Sequence, residues 1–171
     1  MQMVKKGFIV LMAVWLSILV LMPKREFYYK LEEELAKHEI KLNEEQVSEG
    51  FFSLALKQVT VYFKGINVAT IEEVNLCTLL FYSSLELRSL HMDDSLKTMV
   101  PQETQKLLLS HSVLSPLEVF VDATGSFGMM TGKIDLSEQK VRLDFNESKN
   151  IEMLKPQLKK DEKGWVYETS F

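Results

Sequence analysis

Residues 7 to 22 read GFIVLMAVWLSILVLM, an unbroken apolar run whose only hydroxyl is Ser17. Such a stretch has to be covered by lipid or by protein, because leaving it in water is costly. As a helix rising about 1.5 Å per residue it measures roughly 24 Å, slightly short of the ~30 Å hydrocarbon core of a bilayer. Lys5 and Lys6 before it, and Lys24 and Arg25 after it, can snorkel to the headgroups and make up the difference. Phe27, Tyr28 and Tyr29 follow at once and suit an interfacial aromatic belt. The run reads as a transmembrane anchor over 7–22, behind a short tail over 1–6. The rival is a cleaved signal peptide, but Met22-Pro23-Lys24-Arg25 offers no pair of small residues for cleavage, so an uncleaved anchor is favoured. Lys5, Lys6 and the free amine outweigh Lys24, Arg25 and Glu26 in positive charge. This puts the tail in the cytoplasm and the following domain outside. In a bacterium that is a single-pass inner-membrane protein with a periplasmic domain.

Pro23 should end or kink the first helix. Phe27, Leu31, Leu35 and His38 then recur at helical spacing, with Glu32, Glu33, Glu34 and Lys37 on the other faces. The spacing predicts an amphipathic helical connector over 23–38. Its acidic polar face argues against anionic lipid and for packing on the domain, like a lid on its end.

From residue 39 the period changes to that of strands. Ile40 and Leu42 alternate with charged residues. Leu54 and Leu56 hold one phase and Val59, Val61 and Phe63 the next, which predicts a β-bulge near Lys57 and Gln58. Gly65 and Asn67 mark a turn, and Leu85 and Leu87 alternate with Glu86 and Arg88. Segment 93–115 is ambiguous, with a short helix expected at 101–110 after Pro101 and another at 149–155. Leu117, Val119, Val121 and Ala123 alternate with Glu118, Phe120 and Asp122; Gly125 and Gly128 punctuate a turn; Leu136–Gln139 is a hairpin connection. Trp165, Tyr167, Thr169 and Phe171 form a last strand. The expected fold is mainly β: an anchor, a short amphipathic helix and an antiparallel meander over 39–171. A meander with one apolar face must close on itself, take a helix as cover, or curl around an open apolar trough.

Composition excludes several functions. The net charge is −4 and no basic block is laced with aromatics, so nucleic acid is not an expected partner. The single cysteine, Cys77, lies among Val74, Leu76 and Leu79 and reads as a core residue; it rules out an intramolecular disulfide. Gly128-Met-Met-Thr-Gly132-Lys133 has three residues between its glycines, where a phosphate loop needs four, and Ile134 follows the lysine instead of Ser or Thr. His38, His91 and His111 are far apart, and neither Glu72-Glu73 nor Asp93-Asp94 has the spacing of a metal loop. No serine lies in a GxSxG turn. Asn146-Glu147-Ser148 is a glycosylation sequon that matters only in a eukaryotic secretory route. The reading is therefore of a non-enzyme, with no catalytic, cofactor or metal residues. Contact residues for a partner or an acyl chain are sought on the apolar strand face and the adjoining flexible cluster: Val119, Val121, Phe127, Met129 and Met130.

Three stretches carry a family resemblance: LVLMPKREFYYKLEEELAKHEIKL, FSLALKQVTVYFKGINVATIEEV and ATGSFGMMTGKIDLSEQKVRL. In layout the chain resembles the type II secretion system protein N family and, more loosely, the AsmA-like periplasmic proteins. The last stretch resembles a recurrent turn–strand–turn–strand unit of that family. The resemblance implies an inner-membrane accessory protein of an envelope secretion or assembly system, acting through protein contacts of its periplasmic β domain. Its AsmA-like side implies the alternative, a lipid-handling module with an apolar trough. It supplies no catalytic residues.

Overall fold

The computed structural model describes residues 2–21, 24–79, 81–96, 99–146, 151, 152, 154–161 and 164–171, and within the first helix the side chains of residues 5–17. Two helices lead the chain, α1 (Gln2–Leu21) and α2 (Lys24–Lys37). Eleven strands follow: β1 (Ile40–Asn43), β2 (Gln46–Glu49), β3 (Ser53–Phe63), β4 (Ile66–Thr78), β5 (Tyr82–Met92), β6 (Glu103–Ser112), β7 (Ser115–Gly125), β8 (Gly128–Asp135), β9 (Lys140–Phe145), β10 (Lys159–Asp161) and β11 (Gly164–Ser170). They form one antiparallel sheet. β1 and β2 lie end to end along β3, β3 to β9 follow as a meander, and β11 joins β9 with β10 outside it. The sheet is open, one of the outcomes the meandering pattern allows.

α1 covers most of the apolar run. Phe8, Ile9, Val10 and Leu11 are each more than 60 % exposed, so protein does not cover this face. Among the described residues no helix is long and apolar enough to cross a membrane. Met22 and Pro23, where the anchor was expected to end, lie outside the described residues.

α2 forms where the amphipathic spacing predicts, but it docks by a different face. Tyr28 is 6 % exposed whereas Phe27 and Leu31 are 56 % and 55 % exposed. The Tyr28 ring joins Leu54, Leu56, Val59 and Ile71 in a core cluster, and its hydroxyl donates to Glu44 Oε2 at 2.7 Å. An aromatic ring with a satisfied polar tip outcompetes the Phe27–Leu31 stripe for the sheet.

The segment 101–110 is corrected from helix to strand. β6 pairs along its length with β5, and again with β7. Leu107, Leu108 and Leu109 fit a helical face and a strand equally well, and the ladders on both sides decide the outcome. The helix expected at 149–155 falls largely outside the described residues; a 3-10 turn occupies Lys155–Gln157.

Opposed residues in an antiparallel pair share a face. One row of them therefore runs across eight strands: Leu56, Val74, Leu87, Leu107, Ala123, Met130, Phe145 and Trp165. This is the apolar inner face. The outer face carries ion pairs, such as Arg88 with Glu73 at 3.4 Å and with Glu86 at 2.8 Å, Lys106 with Glu86 at 3.2 Å, and Lys133 with Glu118.

The phase slip between Leu56 and Val59 is present but not as the expected β-bulge at Lys57 and Gln58: the β3–β4 register shift falls between Val61 and Tyr62, and the slip is part of a larger feature. Gln58 has φ +52° and Ser89 has φ +51°. On β3 two exposed residues, Lys57 and Gln58, separate buried Leu56 from buried Val59. Glu72-Glu73, Arg88-Ser89 and Gln105-Lys106 interrupt β4, β5 and β6 at the same level. Register is kept across the break, because Leu56↔Val74 and Val59↔Ile71 are both maintained, as are Leu87↔Leu107 and Leu90↔Thr104. All four strands slip in step, and the apolar face stays continuous across the slip.

Candidate functional site

The inner face has two packed regions. The first is the cluster under Tyr28 on β3 and β4. The second gathers Ala123, Phe127, Phe145, Ile151 and Leu158. Beside this second cluster lies an apolar cavity of about 370 Å³.

Its floor comes from the sheet: Leu107, Ala123, Met130, Leu143 and Tyr167. Each is on the inner face by register, since Leu107↔Ala123, Ala123↔Met130 and Leu143↔Tyr167 are opposed pairs. Its rim comes from irregular segments at one end. Val100 and Pro101 contribute from the β5–β6 connection, Phe127 from the β7–β8 turn, and Leu154 and Leu158 from the stretch after β9. That last stretch is pinned by Ile151, which is 2 % exposed and whose carbonyl accepts from the amides of Leu154 and Lys155 at 2.9 and 3.0 Å. Phe127 packs edge-on against Phe145, with ring centroids 6.1 Å apart.

The cavity touches strands β5, β6, β7, β8, β9 and β11. Gly132 permits a close approach between β8 and β9 beneath it. A Cβ there would come within 2.5 Å of the Arg142 carbonyl oxygen and of Leu143 Cδ2.

Among the described residues no charged side chain lines the cavity; its polar members are Thr104, Gln157 and Tyr167. A chamber of this size and lining matches the pattern of apolar ligand sites with a few polar groups. Among the described residues no group of three or more His, Cys, Asp or Glu could hold a metal ion. His111 is engaged locally, with Nε2 3.1 Å from the Pro116 carbonyl oxygen. Cys77 is a half-buried free thiol.

The five contact residues read from the sequence divide. Phe127 and Met130 line the cavity. Val121, 5 % exposed, and Val119 lie on the same inner face, nearer the other end of the sheet. Met129 stands 46 % exposed on the outer face opposite Thr124, because successive strand residues point to opposite sides. Leu107, Leu143, Leu154, Leu158 and Tyr167 were missed as site residues. For Leu143 and Tyr167 the strand alternation held the signal; for Leu154 and Leu158 no periodicity marks an irregular cover. Comparison with protein-family models, with characterised proteins and with solved structures gives no match to this chain.

Proposed function

We propose that the protein is a membrane-tethered lipid-handling module, with α1 as the tether and the sheet sheltering an acyl chain on its inner face. The observation that carries this reading is the apolar cavity of about 370 Å³ at the rim of the inner face, with no charged side chain in its lining among the described residues. Each methylene moved into it from water is worth about 0.8 kcal/mol, so part of one acyl chain suffices for useful affinity. The tether reading draws on the exposed apolar surface of α1 and on the bilayer as the solvent that would cover it. We place the domain on the side of the membrane away from Lys5 and Lys6, the periplasm if the source is bacterial.

A second reading has its own observation. β10 pairs only with Gly164, Trp165 and Val166 of β11. Beyond Val166 the outer edge of β11 carries no strand among the described residues. An open edge suits strand addition by a partner protein, as an envelope secretion accessory would use. This is the function that the resemblance to the protein N family implies.

One experiment separates the two. A photo-crosslinking residue is placed at Met130 in the cavity, and in a second variant at Thr169 on the open edge, both in the full chain in its native membrane. A lipid-mass adduct from position 130, with none from 169, is expected. A protein adduct from 169 and only intrachain products from 130 would replace lipid handling by the partner-strand reading.

A further inference from the structure

The antiparallel order sends the β2–β3, β4–β5, β6–β7 and β8–β9 connections to one end of the sheet. The first three are tipped with apolar residues, while the β8–β9 tip carries Ser137 and Glu138. Phe51 is 75 % exposed, Phe81 53 %, Val113 54 % and Leu114 92 %. Single exposed apolar residues are ordinary on protein surfaces, but an aligned set of hairpin tips is not. Gly50-Phe51-Phe52 and Val113-Leu114 contain no charge, while at the opposite end the exposed apolar residues, Phe63, Ile66 and Met99, are accompanied by Lys64 at the β3–β4 turn.

Two further observations tie this end to α1. α2 begins here: the Lys24 amide donates to Glu49 Oε1 at 3.2 Å, and Arg25 lies 3.8 Å from Glu49, at the end of β2 beside this same rim. Also, Trp15 of α1 meets Phe81 edge-on, with ring centroids 5.8 Å apart. The apolar helix and the apolar tips thus form one continuous surface. Its aromatic members, Trp15, Phe51 and Phe81, offer exposed apolar ring surface that lipid can cover.

We propose that this end of the sheet is a membrane-facing rim whose turn tips, Phe51, Phe81, Val113 and Leu114, insert into the lipid bilayer beside α1. The occupant is the bilayer itself. The rim rests on the reading of α1 as a tether and adds the orientation of the domain. The strands then stand on the membrane by their α1 end, with the cavity rim held at the far end, away from the lipid surface.

The test uses the full chain in phosphatidylethanolamine/phosphatidylglycerol vesicles, on a Cys77→Ser background. Spin labels are placed singly at Leu11→Cys in α1, Leu114→Cys at the rim and Lys64→Cys at the opposite end. The readout is collision with oxygen, which partitions into lipid, against a nickel chelate, which stays in water. Labels at 11 and 114 are expected to be shielded from nickel and open to oxygen, with 64 the reverse. If 11 is shielded and 114 is as nickel-accessible as 64, the rim is overturned while the tether stands. If 11 is nickel-accessible as well, the tether fails and the rim with it. All three residues are exposed, so the substitutions leave the core intact.

Discussion

Tyr28 fixes α2 to the sheet with one side chain that does two jobs. Its ring fills the first core cluster and its hydroxyl reaches Glu44. Burial, followed by the hydrogen bond to Glu44, pushes the phenol far above its usual range, so it stays a donor at every physiological pH. Tyr28→Phe should cost about 1 kcal/mol, the net worth of one hydrogen bond, and Tyr28→Ala about 3–5 kcal/mol, as for other buried aromatics. Denaturant unfolding of the two variants separates the hydroxyl from the ring, and near-equal losses would mean that the ring packs little. Asp135 is a second such residue. Its carboxylate accepts from Ser137 Oγ at 2.5 Å and from the amides of Ser137 and Glu138 at 3.0 Å each, closing the β8–β9 turn. These bonds, the Ser137 hydroxyl first, lower its pKa. A carboxyl depressed in the folded state contributes stability above its unfolded value of ~3.9, and that contribution is lost as pH falls through the folded value. Acidification should therefore lower the exchange protection, relative to the intrinsic rate at each pH, of the Ser137 and Glu138 amides before the rest of the sheet, and Asp135→Asn should remove most of that pH dependence. Uniform loosening of all strands at acid pH would contradict this.

Among the elements, β3 to β6 share a phase slip at one level. Gln58 and Ser89 occupy left-handed backbone there, which costs L-residues roughly 1–2 kcal/mol each. Gln58→Gly should leave stability unchanged within about 1 kcal/mol, since relief of strain offsets the added chain entropy. Gln58→Val should destabilise by about 2 kcal/mol, because a β-branched side chain fits this region worst. Equal melting temperatures for the two variants would show that the left-handed turn is not required. The phase slip between Leu56 and Val59 was legible in the sequence because buried residues mark phase. That three neighbouring strands slip at the same level was not, since pairing partners cannot be read from one strand. For the same reason β7 and β11 were recognisable from clean alternation, whereas β6, with its leucine triplet, took its identity from β5 and β7. The docking face of α2 also escaped periodicity. Phe27, Leu31 and Leu35 form the more apolar stripe, yet the hydroxyl of Tyr28 needed a partner that only the folded β1–β2 connection supplies.

For the whole molecule, the sheet's single apolar face finds two covers, α2 at one edge and the segment around Ile151 and Leu158 at the other, and the cavity opens beside the second. Phe127 and Met130 could be picked out as contact residues from their chemistry, but the cavity depends on strand pairing and on an irregular rim, neither of which leaves a periodic trace. If this space holds an acyl chain, filling it with protein should exclude lipid without unfolding the domain. Thr104 suits the purpose: it is half-buried, lies on the inner face opposite Leu90, and lines the cavity. Thr104→Phe adds apolar surface worth roughly 2 kcal/mol when buried, against an overpacking cost of about 1–3 kcal/mol, so stability should change by no more than about 2 kcal/mol. Thr124→Phe is the control, since Thr124 is exposed on the outer face of the next strand. Native mass spectrometry of the full chain released from detergent should show lipid adducts for the parent protein and for Thr124→Phe, and several-fold fewer for Thr104→Phe. Added lipid should raise the melting temperature of the first two only, because a ligand stabilises the state that binds it. Undiminished lipid on Thr104→Phe, with the protein still folded, would remove the cavity as the lipid site and leave the open edge of β11 as the surface to pursue.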